Sequence, residues 1–182
     1  MHKHLKHLVV IPIVVPSCCE IIKLMDRVAD VTGINPPHYE LAPHMTFHRP
    51  IRGADEEVLR QGLVRITKLL RQTRATFHGL YPFGKEHIVL PAQATFRAAT
   101  LWVGINDLLS SLPGYEESEY DGDNILHVTI ATGTTPVFDR AWPEIQGIRF
   151  DPITVPIKTI DLYRKSIVRG GWEGVESFRL QE

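Results

Sequence analysis

Within Leu41-Ala42-Pro43-His44-Met45-Thr46-Phe47-His48-Arg49-Pro50, the tetrad His44-Met45-Thr46-Phe47 alternates polar with apolar side chains. The pattern returns once, as His127-Val128-Thr129-Ile130. Successive side chains of an extended strand point to opposite faces, so His and Thr two places apart share one face and the apolar residues share the other. Each copy is therefore expected to be a strand with one packed face and one chemical face. Of the 9 histidines, only His44 and His127 are followed two places later by Thr or Ser. An imidazole beside a hydroxyl, presented twice, suits a bound phosphate. The competing reading is a pair of buried histidines hydrogen-bonded to neighbouring backbone.

The bulk of the chain frames that site. Its 182 residues suit one domain, or two small lobes sharing a core. A formal net charge of −1 argues against tracking long duplex nucleic acid, which needs clustered Lys and Arg. A small anionic ligand or the tip of an RNA strand remains compatible. Cys18 and Cys19 are the only cysteines and are adjacent, so no disulfide framework is expected and a cytoplasmic setting is the default. The basic start and the apolar run Leu8–Val15 resemble a signal peptide, but Pro12 and Pro16 interrupt it and no small-residue cleavage pattern follows. A buried first strand over Leu5–Val15 is the better reading, and no stretch reaches the roughly 20 apolar residues of a membrane span.

Further along, Ser17 and Glu20 have capping-box spacing and are expected to open a helix that Gly33 stops. Ile21, Leu24, Met25, Val28 and Val31 mark its buried face. A second helix should start near Asp55, with Leu59, Leu63, Ile66 and Leu70 inward and Arg60, Arg65, Lys68 and Arg71 outward. Thr76–Phe83 and Glu86–Leu90 read as a hairpin around Gly84, and a third helix covers roughly Phe96–Leu112. Thr135-Pro136 starts a short helix. Ile148–Val155, Thr159–Lys165 and Trp172–Leu180 close the chain as strands, with a turn at Gly170-Gly171. Helix, loop and His-x-Thr strand thus occur twice, a loose internal repeat.

His44-Met45-Thr46-Phe47 and His127-Val128-Thr129-Ile130 resemble the paired His-x-Thr-x motifs of the two-histidine (2H) phosphoesterase superfamily, in particular its bacterial 2′-5′ RNA ligase or cyclic phosphodiesterase branch. The order of elements agrees over nearly the whole chain. Leu162-Tyr163-Arg164-Lys165-Ser166, followed by Trp172 and Phe178-Arg179-Leu180, is similar to that family's last hairpin. The resemblance implies an α+β bilobal fold in which two antiparallel sheets face each other across a central cleft, helices lie outside, and each lobe supplies one motif. It also implies action on 2′,3′-cyclic phosphates or related ribose phosphodiesters. Some members carry a basic residue just after the second motif, whereas Ala131 and Thr132 stand here. The phosphate then relies on another cation, and substrate preference does not carry over.

The residue types support that chemistry independently. Displacement at phosphorus needs a base on the attacking side and an acid on the leaving side, and histidine supplies both near neutral pH. His44 and His127 are the expected acid–base pair, in either order, with Thr46 and Thr129 donating to the non-bridging oxygens. No metal or other cofactor is required. His48 shares the parity of His44 and either assists the phosphate or ends the strand before Pro50. A metal reading of His44 and His48 lacks nearby carboxylates, and His2, His4 and His7 are read as a mobile terminus. Tyr39, Arg49, Arg52, Lys85 and Tyr115 lie where they can border the cleft, although charged loop residues are normally solvated. Phe83 offers either a stacking face or packing on its own sheet; Trp102, Trp142 and Trp172 are read as packing.

The expected function is metal-independent hydrolysis of a ribose cyclic phosphate, or reversible action on a 2′-5′ linkage, by a monomer whose partner is a small nucleotide or an RNA end. A binding module that keeps the cleft without turnover, and a partner-binding domain with incidental motifs, are the rivals from other classes.

Overall fold

The computed structural model describes residues 5–34, 36, 40–47, 50–84, 86–113, 115–116, 125–166 and 170–182. Strand β1 (Leu5–Pro12) is central: it pairs antiparallel with β2 (His44–Thr46), β3 (Ile51–Arg52) and β9 (Thr159–Ser166). Leu8, Val9, Val10 and Ile11 are all buried, so the apolar run at the start of the chain is a strand covered on both faces. β9 continues through the Gly170-Gly171 turn, both glycines at positive φ, into β10 (Trp172–Arg179).

The second half of the sheet is built from β4 (Thr73–Phe77), β5 (Tyr81–Phe83), β6 (His87–Ala94), β7 (His127–Thr132) and β8 (Ile153–Ile157). One hydrogen-bonded path runs β10-β9-β1-β2-β7-β6-β4-β8, with β3 beside β1 and β5 beside β6. The architecture is α+β, a strongly curled antiparallel sheet with helices. The two halves that the resemblance implied are continuous with one another, and they join where β2 meets β7 at Met45↔Val128.

Helix α1 (Ser17–Thr32) buries Ile21, Leu24, Met25 and Val28 and ends at Gly33, whose φ of 71° is the left-handed conformation that favours glycine. The capping box expected from Ser17 and Glu20 does not form. Pro16 is the N-cap, and the Ser17 hydroxyl donates instead to the Thr154 carbonyl at 3.1 Å. Helix α2 (Glu56–Thr67) is capped as expected by Asp55, whose carboxylate accepts from the Glu57 and Val58 amides. Helices α3 (Phe96–Ser110) and α4 (Thr135–Gly147) follow their Thr95 and Thr134 caps.

Three further expectations change. The run Thr76–Phe83 is two strands, β4 starting earlier and β5 forming the hairpin with β6 around Gly84. β8 begins at Ile153 rather than Ile148. His7 is not in a mobile terminus. It is 1% exposed in β1, with its Nε2 3.0 Å from Glu56 Oε2, a carboxylate that also accepts from Arg164. That cluster ties the first turn of α2 to β1 and β9.

Apolar residues from all four helices and from the inward strand positions form one core cluster. α1 leaves the first half of the sheet yet packs on β7, β8 and α4, while α2 packs on α3 and β10. The α2–α3 contact depends on Gly62, where an added Cβ would lie 2.5 Å from Leu108 Cδ1. Gly62→Leu is expected to lower the free energy of unfolding by about 1–3 kcal/mol through overpacking. A lower denaturant midpoint at unchanged slope is the check.

Candidate active site

Met45 and Val128 are 0% and 1% exposed and point into the core. Strand alternation then fixes what the other face carries. One step to either side of Met45↔Val128 on an antiparallel ladder sets His44 across from Thr129 and Thr46 across from His127. The four side chains therefore make a crossed square on one face of the sheet. Directly opposed Cβ atoms sit about 4.5–5.5 Å apart, and the two histidines, on a diagonal, about 7–8 Å. That spacing leaves room for a group between two imidazoles. The motifs lie on neighbouring strands at the join of the halves, so their separation is set by sheet geometry.

The local anchoring is the same at both places. His44 Nδ1 lies 2.8 Å from the Ala42 carbonyl, and His127 Nδ1 lies 2.8 Å from the Ile125 carbonyl. A carbonyl only accepts, so Nδ1–H donates in each case and the neutral ring keeps Nε2 as its acceptor. Both histidines are half-buried, as are Thr46 and Thr129. Among the described residues neither of these threonine hydroxyls has a hydrogen-bond partner.

Burial pushes the His44 imidazole below the ordinary histidine value, with the Ala42 carbonyl bond acting in the opposite direction. His127 is lowered for the same reason, opposed by the Ile125 carbonyl and reinforced by repulsion from a charge on His87. His87 is itself lowered by burial, against the attraction of Glu86. Its Nδ1 is 3.1 Å from Thr132 Oγ1, and it pairs across the hairpin with Phe83. The Phe83 ring packs on the His127 ring at 4.7 Å between centroids, tilted by 39°. Phe83 thus contacts an imidazole of the square, a use beyond packing on its own hairpin.

His87 was not legible as a site residue, because its hydroxyl partner lies across a strand pair and not two places along the chain. Thr132 closes β7, two places after Ile130 of the second motif. On the first half of the sheet, the same face carries Asp161 and Tyr163, which pair with Val10 and Leu8. Ser177 Oγ donates to Asp161 Oδ1 at 2.7 Å, and burial with the Asp161 charge raises the Tyr163 phenol. Lys165 Nζ lies 5.5 Å from the centre of the Trp172 ring and 3.7 Å from Glu40 Oε2. Trp172 therefore has a cation over it in addition to its packing.

Of the auxiliary candidates, Tyr39, His48, Arg49 and Lys85 lie outside the described residues. Tyr115 packs half-buried against the core beyond α3. Arg52 is exposed on β3 across from Lys6, well along β1 from the His44 pairing. Among the described residues no group of three or more His, Cys, Asp or Glu side chains is placed to hold a metal ion, and no helix is long and apolar enough to cross a membrane.

No family model and no curated protein sequence matches the chain. Solved structures do. LigT of E. coli complexed with 3′-AMP superposes with a TM-score of 0.65 at 12% identity, covering 99% of this chain and 100% of that one. TT0787 of Thermus thermophilus gives 0.61 at 17% identity over 97% and 98%. Usb1 of Kluyveromyces marxianus gives 0.55 at 12% identity over 98% and 99%. The fold is the LigT-like fold of 2H phosphoesterases.

The histidine environment makes one outcome measurable without substrate. In a proton NMR titration, the His44 and His127 rings should both titrate below about 6.5. Added inorganic phosphate should move at least one of them upward, because an anion between the rings favours their charged form.

Proposed function

We propose that this chain is a 2H phosphoesterase that hydrolyses a ribose 2′,3′-cyclic phosphate, on an RNA end or a nucleotide, by acid–base catalysis between His44 and His127. The observation that carries the reading is the crossed square, two imidazoles on one diagonal and two hydroxyls on the other. The fold shared with LigT, whose structures include complexes with phosphate and 3′-AMP, supports the same substrate class.

In the proposed step, water attacks phosphorus while one imidazole, neutral at Nε2, takes its proton. The bond from phosphorus to one ribose oxygen breaks, and the second imidazole, entering as the cation, protonates that oxygen. The product is a phosphomonoester beside a free ribose hydroxyl. The first ring now carries the proton and the second is neutral, and exchange with solvent resets the pair. Nδ1–H bonds to Ala42 and Ile125 hold both rings in the tautomer that presents Nε2, and each stabilises its ring as a cation. Thr46 and Thr129 donate to the non-bridging oxygens, where charge grows. His87 faces the same region and supplies a third protonatable group in place of a basic residue after the second motif. With a ribose 5′-hydroxyl in place of water, the same attack forms a P–O5′ bond as the P–O3′ bond breaks and the second imidazole protonates the departing 3′ oxygen, which gives a 2′-5′ linkage.

The test is incubation of the purified protein with 2′,3′-cyclic mononucleotides in excess EDTA. Phosphomonoester is expected at an undiminished rate; tight binding with no product would replace the enzyme reading with a binding module. His44→Ala and His127→Ala should each lose about 10²–10⁴-fold in kcat/KM while staying folded.

The pH profile of kcat/KM should be a bell, since one ring must be neutral and the other charged. With both rings lowered by burial, the charged form becomes scarce sooner as pH rises. The maximum should therefore fall on the acid side of about 6.5.

A further inference from the structure

The face that bears His127 continues across the second half of the sheet to a separate cavity. Pro91 of β6 is paired with His127, and Gln93, two places on, shares its face and pairs with Thr76 of β4. Thr76 pairs in turn with Thr154, their hydroxyls 3.0 Å apart, and Arg74 pairs with Pro156 on the same face. Where β6 ends, the chain turns through Thr95 into α3, whose first residue is Phe96. Thr73, Arg74, Thr95, Phe96, Arg97 and Pro156 line a cavity of about 660 Å³. The path from Pro91 to Thr95 is four strand residues, about 13 Å.

Two features make this more than an exposed side chain. Phe96 is 87% exposed at a position where its ring contributes nothing to the core. Beside it, Arg74 and Arg97 have no carboxylate within ion-pair distance among the described residues. Arg60, Arg164 and Arg179 are each held by glutamates; of the described arginines without such a partner, Arg74 and Arg97 are the two that line this cavity. An exposed flat ring that lines one cavity with two such guanidiniums, on a surface continuous with the proposed phosphate site, fits an unpaired base and its flanking phosphates. An acidic peptide would answer the arginines but leaves the ring unexplained.

Taking the proposed reaction as its premise, we infer that the Arg74–Phe96–Arg97–Pro156 cavity is a second nucleotide subsite. It receives an upstream base of a single-stranded RNA whose 2′,3′-cyclic phosphate end lies between His44 and His127. The preferred substrate is then an oligoribonucleotide end and not a free cyclic mononucleotide.

The experiment compares wild type, Phe96→Ala, Phe96→Trp and the double variant Arg74→Ala/Arg97→Ala. Each is tested on a 2′,3′-cyclic mononucleotide and on a short single-stranded RNA ending in the same group. Wild type should show a KM about tenfold lower for the RNA, and Phe96→Ala should remove that advantage with the mononucleotide KM and the melting temperature unchanged, the scale of one base–aromatic stack. Phe96→Trp should retain it. The double variant should lower the slope of log KM against log salt for the RNA by about 1.4, two phosphate contacts on a single strand. Equal KM values for the two substrates in wild type, or a Phe96→Ala change that falls equally on both, overturns the subsite. If neither substrate is hydrolysed, the reaction reading fails and the subsite is still decided by fluorescence anisotropy with the same RNA. About tenfold weaker binding by Phe96→Ala upholds it, and unchanged binding overturns it.

Discussion

The arrangement depends on the pairing of Met45 with Val128. Side chains alternate along a strand, so burying these two apolar residues in the core commits both His/Thr pairs to the opposite face. A slip by one residue would turn every one of those groups over. The join is also short: β2 has 3 residues, and Met45↔Val128 is the pairing that connects the halves. Such a ladder holds its register only if something else clamps the two sides. α1 does this, since it follows β1 in the chain but packs on β7 and β8, with Ser17 bonded to the Thr154 carbonyl. The α2–α3 contact at Gly62 does the same on another side, and its closeness is why a side chain cannot be added there without displacing Leu108. The geometry of the square is thus a property of the helix layer as much as of the sheet.

Within the square, the two imidazoles have equivalent anchors and inequivalent neighbours. Each donates Nδ1–H to the carbonyl two places before it, which is a local consequence of the turn into the strand. Among the described residues, only His127 also has a ring packed against it and a second imidazole weighing on its charge. Burial keeps both rings neutral longer than a free histidine, which suits a base. In the proposed reaction the acid must then gain its proton from the stabilising field of a bound anion, so phosphate binding and protonation would reinforce one another.

Much of this was legible in the sequence, and the reasons are physical. The His-x-Thr pairs could be read because strand parity is a local rule, and Asp55 and Gly33 because caps act within a turn. The pairing of residue 45 with residue 128 could not be read, since register between distant strands is set by packing. His87 was invisible for the same reason: its partner Thr132 is reached across β6 and β7. Ser17 carried a capping signal that a tertiary bond to β8 overrode. His7 looked like part of a loose terminus because nothing in its neighbours announces Glu56, whose carboxylate comes from another element. The length of α3 was legible from its apolar spacing. That spacing also leaves Phe96 off the buried face, but only the folded chain puts Arg74 beside it.

The two ends of the chemical face differ in the charge that stands nearest the join. On the first half, Asp161 pairs with Val10 beside Thr46 and holds Ser177, and Lys165 lies over Trp172 and near Glu40, while Lys6 and Arg52 lie farther along β1. A ligand extending that way would have to displace bonds that exist, at the cost of leaving half-buried groups unpaired. On the second half, the Thr76 and Thr154 hydroxyls satisfy each other and lead to guanidiniums that, among the described residues, have no acid to release. A polyanion leaving the join along the first half therefore meets the Asp161 carboxylate before any cation without a partner. On the proposed reading, a curled sheet that fixes its reactive groups at the join would in this way give direction to a chain-like substrate, through the charges set on either side.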